Sequence, residues 1–341
     1  MATNTITKYA YTDETFVQVR ENLHKQGRLG GSEVGTAEGC NKFRSTRRMY
    51  EEWVGTLPAE DVSGKIAVRD GHILEPIAAE LFEKRSGKKV HRVNAVMTSD
   101  TARHLFASID RKIENEDSGL EIKTCAAWNS DAFADEKLPA SYVRQVKTYM
   151  KVTGYPRWYV FVWSANTFEK CYLYTLDAAE AANKPEWVDV ALVVTPAELD
   201  ACEEIAAAFI HAVETKTPPP CDGTDDETDV LKELFPESAE GKTVTLTSVS
   251  EADLTLLAEK KATIKAEEEA IATIENRIKA EMGNAAEGLI GARRVTWKNN
   301  KPSEKVDYKR IVADIGFDET TLKRYTEIKP GARVLRIAKA K

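Results

Sequence analysis

The sequence predicts a mixed α/β protein, with a mixed central β-sheet flanked by helices and a C-terminal α+β extension that contains a long helix. Three observations lead to this prediction. Residues 157–164 form a continuous apolar run, which is typical of a central strand. Residues 106–124 alternate between apolar and polar side chains around a polar turn, as a β-hairpin does. Segments with helical periodicity precede and follow these strands, which favours a sheet covered by helices.

The composition sets the general class of the protein. Of the 341 residues, 42% are apolar and 8% aromatic, enough for a buried core. No apolar run approaches the roughly 18 residues of a membrane span, and no signal peptide is recognisable. Five scattered cysteines without CxxC spacing argue against a disulfide framework, a zinc site and an iron–sulfur cluster. We therefore expect a reduced, cytoplasmic protein. The net charge of −7 disfavours a nucleic-acid coat protein but still allows a nuclease with one basic cleft.

Before the first long strand the sequence predicts three helices of ordinary length. They are expected at residues 13–27, from Ser45 or Thr46 to 55, and at 71–86. An interior proline removes a helical hydrogen bond, so the third helix should be kinked at Pro76 or begin near Glu75. Its buried stripe would consist of Ile73, Ile77, Leu81 and Phe82.

The remaining elements follow in order along the chain. We expect a strand at 88–98, the hairpin, a helix at 138–153, strands at 157–164 and 168–176, and a helix at 187–214. A proline run and acidic residues then predict a linker. The expected domains are a core at 1–217, a linker with a short helix at 218–248, and an accessory module at 249–341. That module would contain a helix at 250–282, with a narrow apolar stripe repeating every seven residues, and a strand from Leu289.

The hairpin carries the residues with the clearest chemical pattern. Glu121 and Lys123 are two apart on its second strand and therefore point to the same face. If the strands pair in register, Asp110 on the first strand reaches the same patch. Two carboxylates beside an ammonium suit metal-dependent phosphodiester cleavage, because carboxylate oxygens hold Mg²⁺, which activates water and offsets charge on phosphate. The alternative is a surface hairpin with an ordinary ion pair.

Two further segments could contact anions. Gly30 and Gly31 precede Ser32, a candidate N-cap of a short helix, and Arg28 lies just upstream, so this junction could seat a phosphate. It could equally be a common loop-to-helix junction. Arg44 and Arg47, with the adjacent Arg48, cluster at a helix N-terminus, where cations oppose the dipole. An anionic partner and a solvated basic face are both compatible with that cluster.

Several motifs occur together in a characteristic order: Gly30-Gly31-Ser32-Glu33-Val34, Gly71-x-x-x-Glu75-Pro76, Ser108-Ile109-Asp110, Leu120-Glu121-Ile122-Lys123, and Gln145 ahead of Thr153-Gly154. In this order they resemble the YqaJ-like viral recombinase family, the lambda-type alkaline exonucleases related to RecE within the PD-(D/E)xK nucleases. The similarity covers roughly residues 15–225. One departure is Ile109, which stands where a proline is frequent and which shapes the strand rather than taking part in chemistry.

The resemblance implies a role for each matching residue. Asp110 and Glu121 would bind metal together with the backbone carbonyl of Ile122, and Glu75 would serve a second ion or its water shell. Two Mg²⁺ ions per site are implied, with Mn²⁺ as a substitute. Lys123 would position or activate the attacking water, and Gln145 would complete the site. The 5′-terminal phosphate would be held by Arg28, Ser32 and Ser108. Arg44 and Arg47 would contact the DNA backbone.

The resemblance also implies a restriction-endonuclease-like core and a biological setting. Family members digest linear double-stranded DNA from its 5′ ends to mononucleotides, and a single-strand annealing protein then coats the remaining 3′ strand. They assemble as rings of three or four subunits. We accordingly expect a phage or prophage protein acting in a bacterial host. A site-specific or structure-specific endonuclease with the same metal site and a non-catalytic DNA-end-binding scaffold are the alternatives.

Overall fold

The computed structural model describes residues 5–12, 14–61, 64–125, 133, 138–164, 168–302, 307–316, 318–327, 335 and 337. The chain forms two compact units, Met1–Pro236 and Glu237–Lys341. The expected end of the core at 217 therefore falls inside the first unit. Among the described residues, no helix combines the length and the apolar composition that crossing a membrane requires.

The first unit contains ten of the described strands and eight of the described helices. Its strands are β1 Ile6–Ala10, β2 Leu29–Gly30, β3 Val90–Arg92, β4 Ala95–Ser99, β5 Leu105–Ser108, β6 Arg111–Ile113, β7 Ser118–Thr124, β8 Arg157–Ser164, β9 Phe168–Thr175 and β10 Val190–Val193. Its helices are α1 Phe16–Lys25, α2 Gly31–Ala37, α3 Thr46–Trp53, α4 Ile66–Ser86, α5 Ala140–Thr153, α6 Ala178–Ala182, α7 Pro196–Glu214 and α8 Asp225–Leu234.

The strands form two sheets that each mix parallel and antiparallel pairs, which confirms the mixed α/β class. The six-stranded sheet has the order β10-β9-β8-β7-β6-β3, and the four-stranded sheet has the order β1-β4-β5-β2. The single strand expected at 88–98 is wrong, because it is divided into β3 and β4 of different sheets. The two sheets replace the one central sheet that the sequence pattern suggested.

The centre of the six-stranded sheet is formed by β7 and β8, which run parallel. Residues 158–162 of β8 are all buried, as the continuous apolar run predicted. Gly119 of β7 allows Trp158 to pack directly on the strand, since a Cβ at this position would lie 2.3 Å from the indole ring. Tight packing of this kind fixes the position of β7 and of the polar side chains that it carries.

Two helix predictions were wrong in ways that matter for the site. Helix α4 begins at Ile66 and continues through Pro76, so Glu75 lies in the middle of a helix and not in its first turn. Ile73 and Ile77 are 61% and 46% exposed, whereas Phe82 is buried as expected, together with Ala78 and Ala79. The helix expected at 187–214 begins only at Pro196, because Thr195 caps it and the preceding residues form β10.

The second unit has helices α9 Glu251–Met282, α10 Tyr308–Ile315 and α11 Glu319–Arg324, and strands β11 Glu287–Ile290 and β12 Arg293–Thr296. Ser250 caps α9 by accepting a hydrogen bond from the Asp253 amide. Strands β11 and β12 form an antiparallel hairpin, where a single strand was expected. None of the residues of α9 is buried, and Ile264 and Ile271 of its apolar stripe are more than half exposed.

Candidate active site

The backbone of two neighbouring strands brings the central acid pair together. Arg111 of β6 pairs with Leu120 of β7, so Asp110, one residue before β6, stands beside Glu121. The Ile122 amide donates a hydrogen bond to Asp110 Oδ2 at 2.9 Å, which holds that carboxylate against β7. Lys123 lies two residues beyond Glu121 and therefore on the same face of the strand. The predicted convergence of Asp110, Glu121 and Lys123 is present in the structure.

Gln145 of α5 completes a closed polar network with these side chains. Lys123 Nζ lies 2.6 Å from Glu121 Oε1 and donates to Gln145 Oε1 at 3.0 Å. Gln145 Nε2 donates to Glu121 Oε1 at 2.9 Å and to the Tyr149 hydroxyl at 2.7 Å. Glu121 is 2% exposed and Gln145 is 7% exposed. The network is therefore largely withdrawn from water.

Burial shifts the pKa values of the charged groups in this network. Burial and the neighbouring charge of Glu121 raise the pKa of Asp110 well above its ordinary value, although the Lys123 ammonium and the Ile122 amide oppose the rise. For Lys123, burial lowers the pKa, but the charges of Glu121 and Asp110 outweigh burial and raise it. Lys123 is thus a cation at neutral pH. The raised pKa of Asp110 shows that holding two buried carboxylates side by side is unfavourable, and a further cation beside them would reduce this cost.

The donor set fits a hard divalent cation such as Mg²⁺. Glu121 Oε2 is buried and has no hydrogen-bond partner among the described residues, which is unusual for a carboxylate oxygen. No three His, Cys, Asp or Glu side chains converge to hold a metal in the described part of the chain. The described residues therefore offer two carboxylates, and the family resemblance adds the backbone carbonyl of Ile122 as a third expected ligand. Mg²⁺ suits such a set because it keeps several water ligands.

Glu75 lies close to the acid pair but already has a partner. Arg111 Nη1 is 2.5 Å from Glu75 Oε1 and also donates to the Asp110 carbonyl oxygen at 2.9 Å. Arg111 is 8% exposed. Sequence reasoning missed this arginine, which links α4 to the start of β6.

Two tyrosines of α5 also contact the residues of the site. Lys123 Nζ lies 4.5 Å from the centroid of the Tyr142 ring, within the range of a cation–π interaction. Tyr149 accepts the hydrogen bond from Gln145 described above. Residues 142, 145 and 149 are three and four apart, which places them on one face of the helix. That spacing was the signal available in the sequence.

The residues expected to hold a 5′-phosphate are only partly brought together. Ser32 follows β2 and Ser108 ends β5, and these strands pair in parallel, so both serines lie towards the same edge as Asp110. Arg28 is held at the opposite end of β5, where Nη1 donates to the carbonyls of Ala102 and Leu105 at 3.2 and 3.1 Å. The structure therefore separates Arg28 from Ser108 by the length of β5.

The predicted helix N-terminus also differs from expectation. Gly30 is the N-cap of α2, and not Ser32, which is exposed. The Glu33 side chain, 6% exposed, accepts a hydrogen bond from the Gly30 amide at 2.7 Å and lies 2.9 Å from His24 Nε2. The protein's own carboxylate therefore occupies a position where a phosphate oxygen was expected.

The arginine cluster of α3 is satisfied within the chain. Arg44 pairs with Glu52, and Arg47 Nε donates to Glu51 at 2.6 Å. Arg48 Nε donates to Asp226 of α8 at 2.6 Å, and the same carboxylate accepts from the amide and hydroxyl of Ser45, the N-cap of α3. Of the two alternatives, the anionic partner is present for Arg48, and it is an acidic helix of the same unit in what was expected to be linker. The partners of Arg44 and Arg47 belong to α3 itself.

Comparison with known proteins relates part of this chain to a known domain family. Residues 16–156, which contain Asp110, Glu121, Lys123 and Gln145, match the model of the YqaJ-like viral recombinase domain. The chain is also 28% identical over 293 residues to the uncharacterized protein YqaJ of Bacillus subtilis (strain 168), an alignment that covers 85% of each protein.

Two of the solved structures that are similar to part of this chain are of an alkaline exonuclease. The structure of LHK-Exo in complex with dAMP is 19% identical, covering 65% of this chain and 97% of that one, with a TM-score of 0.45. Another structure of the alkaline exonuclease LHK-Exo, from Laribacter hongkongensis, is 20% identical, with coverage of 60% and 97% and a TM-score of 0.41.

Proposed function

We propose that this protein is a metal-dependent 5′–3′ exonuclease that digests linear double-stranded DNA to mononucleotides and leaves a 3′ single strand. The observation that carries the proposal is the buried pair of Asp110 and Glu121 beside Lys123, with one oxygen of Glu121 unpartnered. The match to a viral recombinase domain supports DNA as the substrate. The 5′ direction and the product follow from the family resemblance alone.

Asp110, Glu121 and the Ile122 carbonyl would hold the metal ion, which when bound lowers the pKa of a coordinated water and offsets charge on the phosphate. Deprotonated Asp110 is the form that binds a cation, so its raised pKa couples ion binding to proton release. A second ion at Glu75 would compete with Arg111 for that carboxylate. Mg²⁺ is the proposed ion, with Mn²⁺ as a substitute.

Lys123 acts as a fixed cation. Its raised pKa keeps it protonated at neutral pH, so it donates hydrogen bonds to the attacking water or the phosphate and does not accept a proton. Gln145 holds the ammonium and Glu121 in one orientation, and Tyr142 confines the ammonium from the side of α5. These contacts set the position of the charge before substrate arrives, which is the property that electrostatic catalysis requires.

The test compares end-labelled linear duplex with covalently closed circular DNA in the presence of Mg²⁺. We expect mononucleotides from the linear duplex only, and faster digestion of 5′-phosphorylated ends. Cutting of closed circles would favour the endonuclease alternative, and binding of ends without hydrolysis would favour the scaffold.

We further propose a homo-oligomeric ring of three or four subunits and cooperation with a single-strand annealing protein. Both proposals rest on the family resemblance. A ring would surround the duplex with several subunits, which would hold the protein on DNA despite a net charge of −7 per chain. A mass measurement in solution tests the ring, with three or four times 38.0 kDa as the expected value.

A further inference from the structure

A second basic site lies in the first unit, outside the acid pair. A cavity of about 260 Å³ is lined by Lys8, His91, Arg92 and Lys112, together with Asn94 and Tyr155. The basic residues lie on β1, β3 and β6, whereas Asn94 lies between β3 and β4 and Tyr155 lies between α5 and β8. The cavity is therefore bordered by β1 and β3, which are edge strands of the two sheets. None of them belongs to the site described above.

The basic side chains of this cavity lie close together. Lys112 and His91 are direct cross-strand neighbours between β6 and β3, so both side chains face the same space. The nearby cations Lys88, Lys89 and Arg111 each have a carboxylate partner. In contrast, Lys8, His91 and Lys112 form no ion pair with any residue that the structure describes.

The other side chains supply hydrogen bonding and a flat surface. Lys112 Nζ lies 5.4 Å from the centroid of the Tyr155 ring, so the ring limits where the ammonium can move. Asn94 adds an amide, which can donate to an anionic oxygen. Several cationic donors around one space match the oxygens of a phosphate group better than a single carboxylate, which offers only two oxygens.

We propose that this cavity binds a phosphate group that belongs to a nucleotide or to a nucleic-acid strand. The cavity is open to solvent and larger than a single phosphate ion, which leaves space for an attached sugar. Ile109 lines the cavity, and the next residue is Asp110 of the acid pair. A strand bound here would therefore run close to the candidate active site. The assignment does not rest on the proposed cleavage, because it can be tested by binding alone.

The experiment measures dissociation constants of the full-length chain in EDTA, so that no cleavage occurs. The probes are inorganic phosphate, deoxyadenosine 5′-monophosphate, and a single-stranded oligonucleotide with hydroxyl groups at both ends. Lys112→Gln and Lys8→Gln should each weaken binding of a nucleotide probe about tenfold, and the double variant should weaken it further. Lys232→Gln is the matched control, since Lys232 is an exposed lysine on α8 that pairs with Asp229.

The three probes distinguish the source of the phosphate. If the variants bind only the mononucleotide more weakly than wild type does, the cavity binds a free nucleotide or a strand end. If they bind the oligonucleotide more weakly than wild type does, the cavity binds the backbone of a strand. The proposal would be overturned if each probe bound Lys112→Gln and Lys8→Gln as tightly as it binds wild type. Thermal unfolding of each variant checks the fold, and Lys8 provides an exposed position on an edge strand if Lys112→Gln proves unstable.

Discussion

Gln145 shows how a single side chain can organise a charged site. Its carbonyl oxygen accepts from Lys123, and its amide nitrogen donates to Glu121 and to Tyr149. Only one orientation of the amide satisfies all three contacts, because an ammonium cannot accept and a carboxylate cannot donate. Gln145 therefore fixes the Lys123 ammonium and Oε1 of Glu121 in place. Oε2 of Glu121 keeps no hydrogen-bond partner among the described residues and is available to a metal ion.

Glu121→Gln should abolish cleavage without unfolding the protein. The change keeps the shape of the side chain but removes the charge that a metal ion would need, so we expect a loss of at least about a thousandfold in rate. Mg²⁺ should also no longer raise the unfolding temperature, because ion binding stabilises only a chain that binds it. Glu116→Gln, in the turn of the same hairpin, is the control and should retain activity. Turnover by Glu121→Gln would show that the site was wrongly chosen.

Glu33 should make stability depend on pH in the acid range. Burial raises its pKa, but the hydrogen bond and charge of His24, with Arg20, outweigh burial and lower it from 4.5 to about 2. A carboxyl with a lowered pKa stabilises the fold above pH 4.5, and this contribution, about 3 kcal/mol at most, is lost as the pH falls towards 2. The free energy of unfolding of Glu33→Gln, measured in denaturant, should therefore change less between these pH values than that of wild type. An equal change with pH in both proteins would contradict the argument.

Helix α2 positions α5 through direct backbone contact. A Cβ at Gly31 would lie 2.5 Å from Cε1 of the Tyr149 ring and 3.3 Å from the Gln145 carbonyl oxygen. The two glycines ahead of Ser32 thus permit a close approach, as the sequence indicated, but the partners are the protein's own side chains. The glycine motif and the candidate active site are therefore parts of one packed unit.

Gly31→Ala should destabilise the fold and lower activity together. The methyl group would push Tyr149 away from α2, at a cost of about 1–3 kcal/mol, and would shift the hydrogen bond that orients Gln145. The measurements are denaturant unfolding and the rate on linear duplex. Gly223→Ala is the control, because a Cβ there meets no atom within 4 Å. Equal unfolding free energies for both variants would refute the packing argument.

Local periodicity accounts for what the sequence could predict. The period of two placed Glu121 and Lys123 on one face, and helical spacing placed Gln145 on α5, because both patterns depend only on nearby residues. Distant partners were not predictable. Asp226 reaches Ser45 across 181 positions of sequence, and Arg111 reaches Glu75 from another element. Distant contacts also explain why α4 continues through Pro76. Packing against the sheet maintains the helix although proline removes one of its backbone hydrogen bonds.

The two units divide the proposed tasks unequally. All the residues proposed for metal binding and cleavage, and the basic cavity, lie between Met1 and Pro236. In the second unit, α9 buries none of its residues, so its apolar stripe contributes little to a core. The fold of the first unit and the chemistry of the site should therefore depend little on residues after 236.

A chain ending at Pro236 should accordingly fold and cleave. It retains both sheets and α8, whose Asp226 holds the N-terminus of α3. We expect its rate on a short linear duplex to stay within about threefold of wild type, since only the second unit is removed and no site residue is lost. The measurements are the initial rate and the unfolding temperature, with the same truncation carrying Asp226→Asn as a destabilised control. A folded truncation that cleaved more than ten times slower would instead assign the second unit a direct part in substrate binding.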